Sequence, residues 1–449
     1  MHVFHFRFRT LPSLFLALCS ILVFAFGCGG AAPSPTPPPL PQPETSEQNS
    51  TLTLWHTLNE QHRDALAELT REFHDAYPDL TVNPVYVGTR DDLTKQFAAA
   101  FALGTTPDLV LADRRQIAEF AAQGGLQSLD RFLDDAELGY SKQERADFWR
   151  GAFQLGRFPT LGSRTFGIPF RQEPFVLFYN ASALKDLNVN RAPQTWEQFG
   201  EYASLAPAPQ YGWAMRADAA TFEAMLASRG SALLTDSETR ALFNERAGLN
   251  SLKLVADLSE GNAAVLAASD EKARREFGAG NAAYYLGWMS EYDALRQAQR
   301  DAKKNFEIGV GILPQLEPTT PWLLTRGDFF GMTKIKPERA RKAWFFVRWI
   351  TAPTQSARWV RATNALPLTR STLNFLAPDS SRNIFIEQVF RPFKTVPPRL
   401  VPQPASSHID TVEQVVSDLW LQAVQPKPDL RAILDAMVRR INQILAVES

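Results

Sequence analysis

The chain has 449 residues, and its 47 basic and 48 acidic side chains leave a formal net charge of −1 at pH 7. A nucleic-acid partner requires a basic face that neutralises phosphates, so this balance indicates that the chain does not bind nucleic acid. With 45% hydrophobic residues, a chain of this length is sufficient for two lobes, each with its own core.

The first residues predict export from the cytoplasm. A short basic start is followed by an apolar run of about sixteen residues, shorter than the roughly 20 that span a bilayer, and then by Cys28. This order resembles the lipobox of bacterial lipoproteins, although Ala25 stands where Leu, Val or Ile is usual. We therefore predict a lipoprotein signal peptide over residues 1–27, a lipid on Cys28 that anchors the protein outside the cytoplasm, and a proline-rich tether over 28–50. A cleaved secretory leader and an uncleaved anchor are the alternatives.

Strands and helices alternate from residue 51 onward. Apolar or alternating runs predict strands at 51–55, 80–87 and 108–111, and helical spacing predicts helices at 60–77, 91–103 and 117–122. This order is typical of βαβ units in an α/β fold with a mainly parallel sheet. Ligands of such sheets bind beyond the carboxyl ends of the strands. The candidate contacts there are His56, Asn59, Arg90, Asp113 and Arg114.

The second half of the chain continues the alternation. Its patterns predict strands at 175–179, 282–288, 308–313 and 329–333, helices at 180–187, 196–205 and 337–350, and a helix-rich segment at 221–267. The sequence has no Gly-x-Ser-x-Gly, His-Glu-x-x-His or phosphate-loop motif, and its histidines lack the spacing of metal ligands. We therefore expect no catalytic residue, no metal and no cofactor.

An ordered set of short segments carries a family resemblance. The chain resembles the bacterial extracellular solute-binding proteins of ABC importers (family 1), and within them the maltose-binding and glycerol-3-phosphate-binding proteins. The segments that carry the resemblance are 54–56, 73–78, 104–113, 124–129, 167–180, 277–288, 311–314, 327–332 and 364–367. The sequence departs from the family pattern in two places. Arg326-Gly327-Asp328 replaces a usual Gly-Gly pair in the second of the strands that cross between the lobes of this family, and Arg90 and Arg171 stand where uncharged residues are more common.

The resemblance implies a two-lobe periplasmic-binding-protein fold of the α/β class. In this fold strands cross between the lobes, and the ligand is captured in the cleft between them. The resemblance places the crossings near 170–174, 322–328 and 373–381. The first lobe would contain 51–170 and 329–373, and the second 175–324 and 380–449.

The resemblance also implies which side chains line the cleft. Sugars present hydroxyls at the ring edge and apolar C–H faces, so their sites combine polar groups with aromatic planes. The predicted roles are aromatic stacking for Trp55, Tyr285 and Trp288, hydrogen-bond acceptance for Asp113 and Glu173, and anion binding for Arg90, Arg171 and Arg326. Gly327 and Asp328 complete the predicted contacts. Core packing is the alternative for the aromatic residues, and structural capping or ion pairing is the alternative for the charged ones.

These expectations combine into a predicted function. The chain would be the monomeric, lipid-anchored substrate-binding protein of an ABC importer, and would deliver a sugar or small oligosaccharide to permease subunits in the membrane. Glycerol phosphate or another anionic polyol is an alternative ligand. The alternatives in function are an exported glycan-acting enzyme, with Glu173 and Asp113 as its carboxylate pair, and a sensor or scaffold that has lost transport.

Overall fold

The structure is a computed structural model that describes residues 50–189 and 191–446, which belong to one compact unit. The predicted signal peptide at 1–27, the predicted lipid acceptor Cys28 and nearly all of the predicted tether lie outside the described residues. Among the helices of the described ranges, none combines the length and the apolar character needed to cross a membrane.

The described residues form twelve strands, ten of which make one sheet. The strands are β1 (Ser50–His56), β2 (Leu80–Tyr86), β3 (Leu109–Asp113), β4 (Arg157–Phe158), β5 (Arg164–Thr165), β6 (Ile168–Asn180), β7 (Tyr211–Met215), β8 (Ala264–Leu266), β9 (Ala282–Trp288), β10 (Ile308–Ile312), β11 (Trp322–Met332) and β12 (Arg399–Pro402). The order in the large sheet is β2-β1-β3-β11-β6-β9-β7-β8, with β10 paired to β6 and β12 paired to β11. The short strands β4 and β5 pair separately.

The sheet is mixed, which corrects the prediction of a mainly parallel one. In one half, β1 pairs in parallel with β2 and β3, and in the other half β7 pairs in parallel with β8 and β9. In the centre, β6 pairs antiparallel with β9, β10 and β11, and β11 pairs antiparallel with β3. The parallel pairs come from strands joined through helices, whereas the central strands run in opposite directions because each passes from one half to the other.

Two long strands, β6 and β11, take part in both halves of the sheet. Residues 168–174 of β6 pair with β11, and residues 175–179 pair with β9. Residues 322–325 of β11 pair with β12, and residues 328–332 pair with β3. The register of β6 against β11 shifts at a bulge after Asp328. The middle of each strand therefore lies where the sequence predicts the first two crossings.

Sixteen α-helices cover the faces of the sheet in the described ranges. They are α1 (Glu60–Ala76), α2 (Arg90–Leu103), α3 (Arg114–Ala122), α4 (Asp130–Leu133), α5 (Lys142–Asp147), α6 (Ala181–Asp186), α7 (Trp196–Ser204), α8 (Ala219–Ala227), α9 (Arg246–Glu260), α10 (Asp270–Gly278), α11 (Tyr292–Asp301), α12 (Pro337–Ile350), α13 (Pro353–Thr363), α14 (Arg370–Leu376), α15 (Ile409–Ala423) and α16 (Leu430–Leu445). Polar caps start several of them, and Pro337 starts α12 at a position where a missing N–H costs nothing.

Each half of the sheet has its own apolar core. In the first half, Phe346 of α12 is fully buried, and its ring meets Phe73 of α1 edge to face at 5.1 Å. In the second half, Trp420 of α15 meets Phe222 of α8 at 5.8 Å. Burying a side chain of this size stabilises a fold by about 1.5–3 kcal/mol. A third cluster joins the halves along the central strands.

The structure contains most of the predicted elements, and several segments differ from the prediction. The segment predicted as helix-rich, 221–267, ends in strand β8, and strand β7 was not predicted. The segment predicted as the third crossing, 373–381, is the end of α14 followed by a 3-10 turn rather than a strand. Strand β12, which the sequence analysis did not predict, pairs in parallel with the start of β11. Its short apolar run between prolines carries no alternation over enough residues to indicate a strand.

Candidate functional site

The candidate site lies where β6 and β11 pass between the two halves. Strands β1 and β3 end in this region at His56 and Asp113. Asp113 stands opposite Asp328 in the register of β3 against β11. The carboxyl end of β3 therefore lies beside the middle of β11, and ligand sites of α/β sheets lie at such strand ends.

Two ion pairs tie β6 to β11. Arg171 Nε donates to Asp328 Oδ2 at 2.6 Å, and Arg326 Nε donates to Glu173 Oε1 at 2.8 Å. The other carboxylate oxygen of Glu173 accepts from the backbone N–H of Ser290 at 2.9 Å. Burial alone would raise the pKa of Glu173, but Arg326 and Arg171 outweigh it and hold that pKa below its usual value. Glu173 is therefore ionised and engaged on both oxygens.

Arg90 makes the third ion pair of the region. Its Nη1 lies 2.8 Å from Asp113 Oδ2, and its Nη2 lies 4.0 Å from Asp328 Oδ1. Asp113 also caps α3, because its side chain accepts from the backbone N–H of Gln116 at 2.9 Å. The three arginines that the sequence assigns to an anionic ligand thus each have a carboxylate partner. As a group they are charge-balanced and leave little attraction for an anion.

The two aromatic residues of β9 differ in their access to a ligand. Tyr285 is fully buried, and its hydroxyl donates to Glu291 Oε2 at 2.5 Å. The prediction that Tyr285 stacks on a sugar is corrected here, since its ring has no accessible face. Trp288 borders a cavity, but the guanidinium of Arg326 lies over its ring at 4.2 Å. A ligand would reach the ring of Trp288 only at the part that Arg326 leaves uncovered.

The residues after β1 have structural partners. His56 is buried, and its Nδ1 accepts from the backbone N–H of Leu58 at 3.3 Å. Burial, together with nearby Arg63, lowers the pKa of His56 to about 4, so the ring is neutral at physiological pH. Asn59 caps α1, and Trp55 packs half-buried against the apolar cluster that joins the halves. Capping and packing account for these two side chains in this conformation.

Three adjoining cavities, together called the cleft below, open between the two halves. Their volumes are about 710, 120 and 370 Å³, and we call them the large, middle and outer cavities. Gln403 lines all three, Arg114 lines the large and middle ones, and Arg326 lines the middle and outer ones. Arg90, Asp113 and Gly327 line the middle cavity. The large cavity alone has the volume of a typical small-molecule site.

The lining of the middle cavity includes a buried side-chain acceptor that has no donor in the described part of the chain. Gln172 is 1% exposed, and its Nε2 donates to the backbone oxygen of Asp328 at 3.2 Å. Within the ranges 50–189 and 191–446, no donor reaches its Oε1. A buried amide oxygen without a donor is costly, and a ligand hydroxyl at this point would satisfy it.

The large cavity is lined mostly by residues that the sequence analysis did not select. Arg114 was selected, and its Nη1 donates to Glu238 Oε1 at 2.8 Å and to the backbone oxygen of Gln403 at 3.2 Å. The other polar lining residues include Arg150, Gln154, Arg157, Glu223, Trp322 and Arg399. Apart from Arg150, they come from a 3-10 turn and the short strand β4, from helix α8, from the start of β11 and from the unpredicted β12. Because none follows the end of a predicted strand, only the fold could bring them together.

Comparisons with known proteins agree with this architecture. The family model described as bacterial extracellular solute-binding protein matches residues 59–357. The sn-glycerol-3-phosphate-binding periplasmic protein UgpB of Salmonella typhimurium is 20% identical over 432 residues, which cover 88% of this chain and 92% of that protein.

Two solved structures show the similarity in fold. The cyclic α-maltosyl-1,6-maltose binding protein from Arthrobacter globiformis has a TM-score of 0.72 at 18% identity, with 88% of this chain and 99% of that chain covered. UgpB from Mycobacterium tuberculosis, solved with glycerophosphocholine, has a TM-score of 0.65 at 21% identity, with 89% and 99% covered.

Proposed function

Because the chain belongs to the bacterial extracellular solute-binding proteins, we propose that it is the substrate-binding protein of an ABC importer and captures a sugar or small oligosaccharide. The observation that carries the proposal is the cleft, in which three adjoining cavities share Gln403. Arginine, carboxylate and amide groups suit hydroxyls, and Trp322, which lines the large cavity, offers apolar surface.

Movement of the two halves supplies the mechanism. We propose lobes at 51–170 plus 329–373 and at 175–324 plus 380–449, joined through β6 and β11. Arg115 of α3 meets Asp410 of α15 at 2.5 Å, which is a contact between the proposed lobes. A ligand that touches both lobes binds the closed arrangement better, and so shifts the population toward it. The closed form would then dock on the permease subunits.

The chain is not an enzyme, since the proteins of its family bind substrates rather than convert them. Glu173 and Asp113, the carboxylate pair of the alternative glycan-acting enzyme, are engaged in other contacts. Glu173 is bound by Arg326 and Ser290, and Asp113 is bound by Arg90 and caps a helix. Neither is a free acid or base of the kind that hydrolyses a glycosidic bond.

Isothermal titration calorimetry of the wild-type protein with neutral oligosaccharides and sugar phosphates tests the binding function. Gln403→Ala removes the side chain common to the three cavities, and we expect it to weaken binding about tenfold or more. Gln425→Ala, at an exposed residue at the end of α15, is the matched control and should bind as the wild type does. A folded wild type that binds none of these compounds would contradict the proposal.

We further propose that a lipid on Cys28 anchors the protein at the outer face of the cytoplasmic membrane, near its permease. The support is the leader pattern, since an importer's binding protein must remain close to the membrane. Metabolic labelling with palmitate should mark the wild type and leave Cys28→Ser unlabelled. An unlabelled wild type would contradict the lipid anchor and indicate a secreted protein or one with an uncleaved leader. The proposed binding function would not be affected.

A further inference from the structure

Three arginines that line the large cavity have no carboxylate partner in the part of the chain that the structure describes. Arg150, Arg157 and Arg399 line this cavity, and among the described residues no Asp or Glu lies within ion-pair distance of their guanidinium groups. Arg157 Nε donates to the backbone oxygen of Ser163 at 2.5 Å, and the guanidinium of Arg399 lies over the ring of Trp322. This contrasts with Arg90, Arg171 and Arg326, which are all paired.

Arg399 is held in place without a charge partner. Its guanidinium lies 4.2 Å from the centre of the Trp322 ring, so stacking fixes the side chain and leaves the edge of the guanidinium free. The backbone of Arg150 pairs with that of Arg399 through an isolated bridge. The two residues are therefore neighbours in space although about 250 positions apart in the sequence.

Glu223 contributes a hydrogen-bonding group to the same cavity. It is 3% exposed, and its Oε2 accepts from Gln403 Nε2 at 3.1 Å. Burial, with further contributions from Glu413 and Glu238, raises the pKa of Glu223 to about 8 in spite of Gln403 and Arg115. At neutral pH this carboxyl group is mostly protonated, so it can donate a hydrogen bond and does not repel an anion. The remaining acids of the cavity are Asp236 and Glu238, against four arginines.

We propose that the large cavity is a subsite for an anionic sugar, whose carboxylate or phosphate is bound by Arg150, Arg157 and Arg399 and whose hydroxyls contact Glu223 and Gln403. The proposal rests on the sugar-binding function above and names its substrate class. It places the anionic group in the large cavity, and not at the three paired arginines of the crossing strands.

Calorimetry with three probes tests the proposal: maltose, which is neutral, digalacturonate, which carries carboxylates, and glucose 6-phosphate. The wild type should bind at least one anionic probe more tightly than maltose. Arg150→Gln and Arg399→Gln should each weaken that binding on the order of ten- to a hundredfold, since each removes a charge-assisted contact. Arg71→Gln, at an exposed residue of α1, is the control and should leave it unchanged. Preference for digalacturonate indicates a carboxylate ligand, and preference for glucose 6-phosphate indicates a phosphate ligand.

The outcomes separate this inference from the binding function. If maltose or another neutral oligosaccharide binds best and Arg399→Gln binds it unchanged, the anionic subsite is refuted while the binding function stands. Anionic binding that is equal in the wild type and in both arginine variants also refutes it. If no sugar binds to a folded wild type, the binding function fails and the subsite with it. Thermal unfolding of each variant confirms that it is folded.

Discussion

Replacing Glu223 with Gln should make the protein more stable at neutral pH. Glu223 is buried in α8, and its pKa is raised from an ordinary 4.5 to about 8, chiefly by burial. Gln has the same shape, stays neutral at every pH, and can accept the hydrogen bond that Gln403 donates. The variant therefore removes the cost of keeping an acid protonated in the folded state and keeps the local contacts.

The size of this effect follows from the two pKa values. Between pH 4.5 and 8 the folded protein holds the proton of Glu223 while the unfolded chain has released it, so the free energy of unfolding falls as pH rises. The slope is about 1.4 kcal/mol per pH unit. Because of the raised pKa of Glu223, the free energy of unfolding of the wild type is lower by about 3 kcal/mol at pH 7 and by about 1 kcal/mol at pH 5. The stability gained by Glu223→Gln should follow the same pH dependence.

Urea unfolding followed by tryptophan fluorescence at pH 5 and pH 7 measures this gain as the difference between variant and wild type. The variant must be compared with the wild type because His56 and His62 also change the free energy of unfolding with pH, in the direction opposite to Glu223. Burial lowers the pKa of both to about 4, so the stability that their neutral forms contribute is lost as pH falls below about 6.5. Glu201→Gln, at an exposed residue of α7, is the control. A gain that is equal at both pH values would refute the buried, protonated state of Glu223.

Three further variants probe the crossing strands and the contact between the halves. A Cβ at Gly327, where φ is +154°, would lie 1.7 Å from the backbone oxygen of Arg171, so Gly327→Ala should lower the urea midpoint strongly or prevent folding. Arg171→Gln leaves the carboxylate of Asp328 buried without its close partner, so the free energy of unfolding measured in urea should fall by about 3–5 kcal/mol. The double variant Arg171→Gln/Asp328→Asn should recover most of this loss, because it also removes the buried charge. Arg115→Gln removes exposed ion pairs to α15, so the free energy of unfolding should fall by less than about 1 kcal/mol. The loss of this contact between the halves should increase the radius of gyration of the ligand-free protein, which small-angle X-ray scattering measures.

The alternation of strands and helices was predictable because it depends on local patterns. The strand at 282–288 and the helix at 337–350 have the bounds that their apolar runs indicate. The direction of the central strands was not predictable from those patterns. The long apolar run in β6 is typical of a buried strand in either orientation, and only its pairing with β11 determines that the sheet is mixed.

The candidate site was predictable where its residues follow strand ends, and not elsewhere. Asp113, at the end of β3, lines the cleft, and its contact with a ligand stays a prediction. Tyr285 does not line the cleft, because β9 is buried on both faces and Tyr285 packs in the core. The large cavity could not be predicted, since Arg150, Glu223 and Arg399 come from segments far apart in the sequence, each without a motif of its own.

Burial decides which arginines of this cleft are structural and which are free for a ligand. Arg171 is 19% exposed and stands on a strand in which nearly every neighbour is buried, and a charge there is tolerated only when a carboxylate is paired with it. Arg150 and Arg157 stand in exposed segments before β6, where water solvates an unpaired guanidinium at little cost. An anionic group of a ligand would replace the water that solvates these guanidinium groups. The arginines most conspicuous in the sequence, on the apolar strands β6 and β11, are thus the ones least able to bind a ligand, and Arg150, Arg157 and Arg399, which no motif marks, are the better candidates.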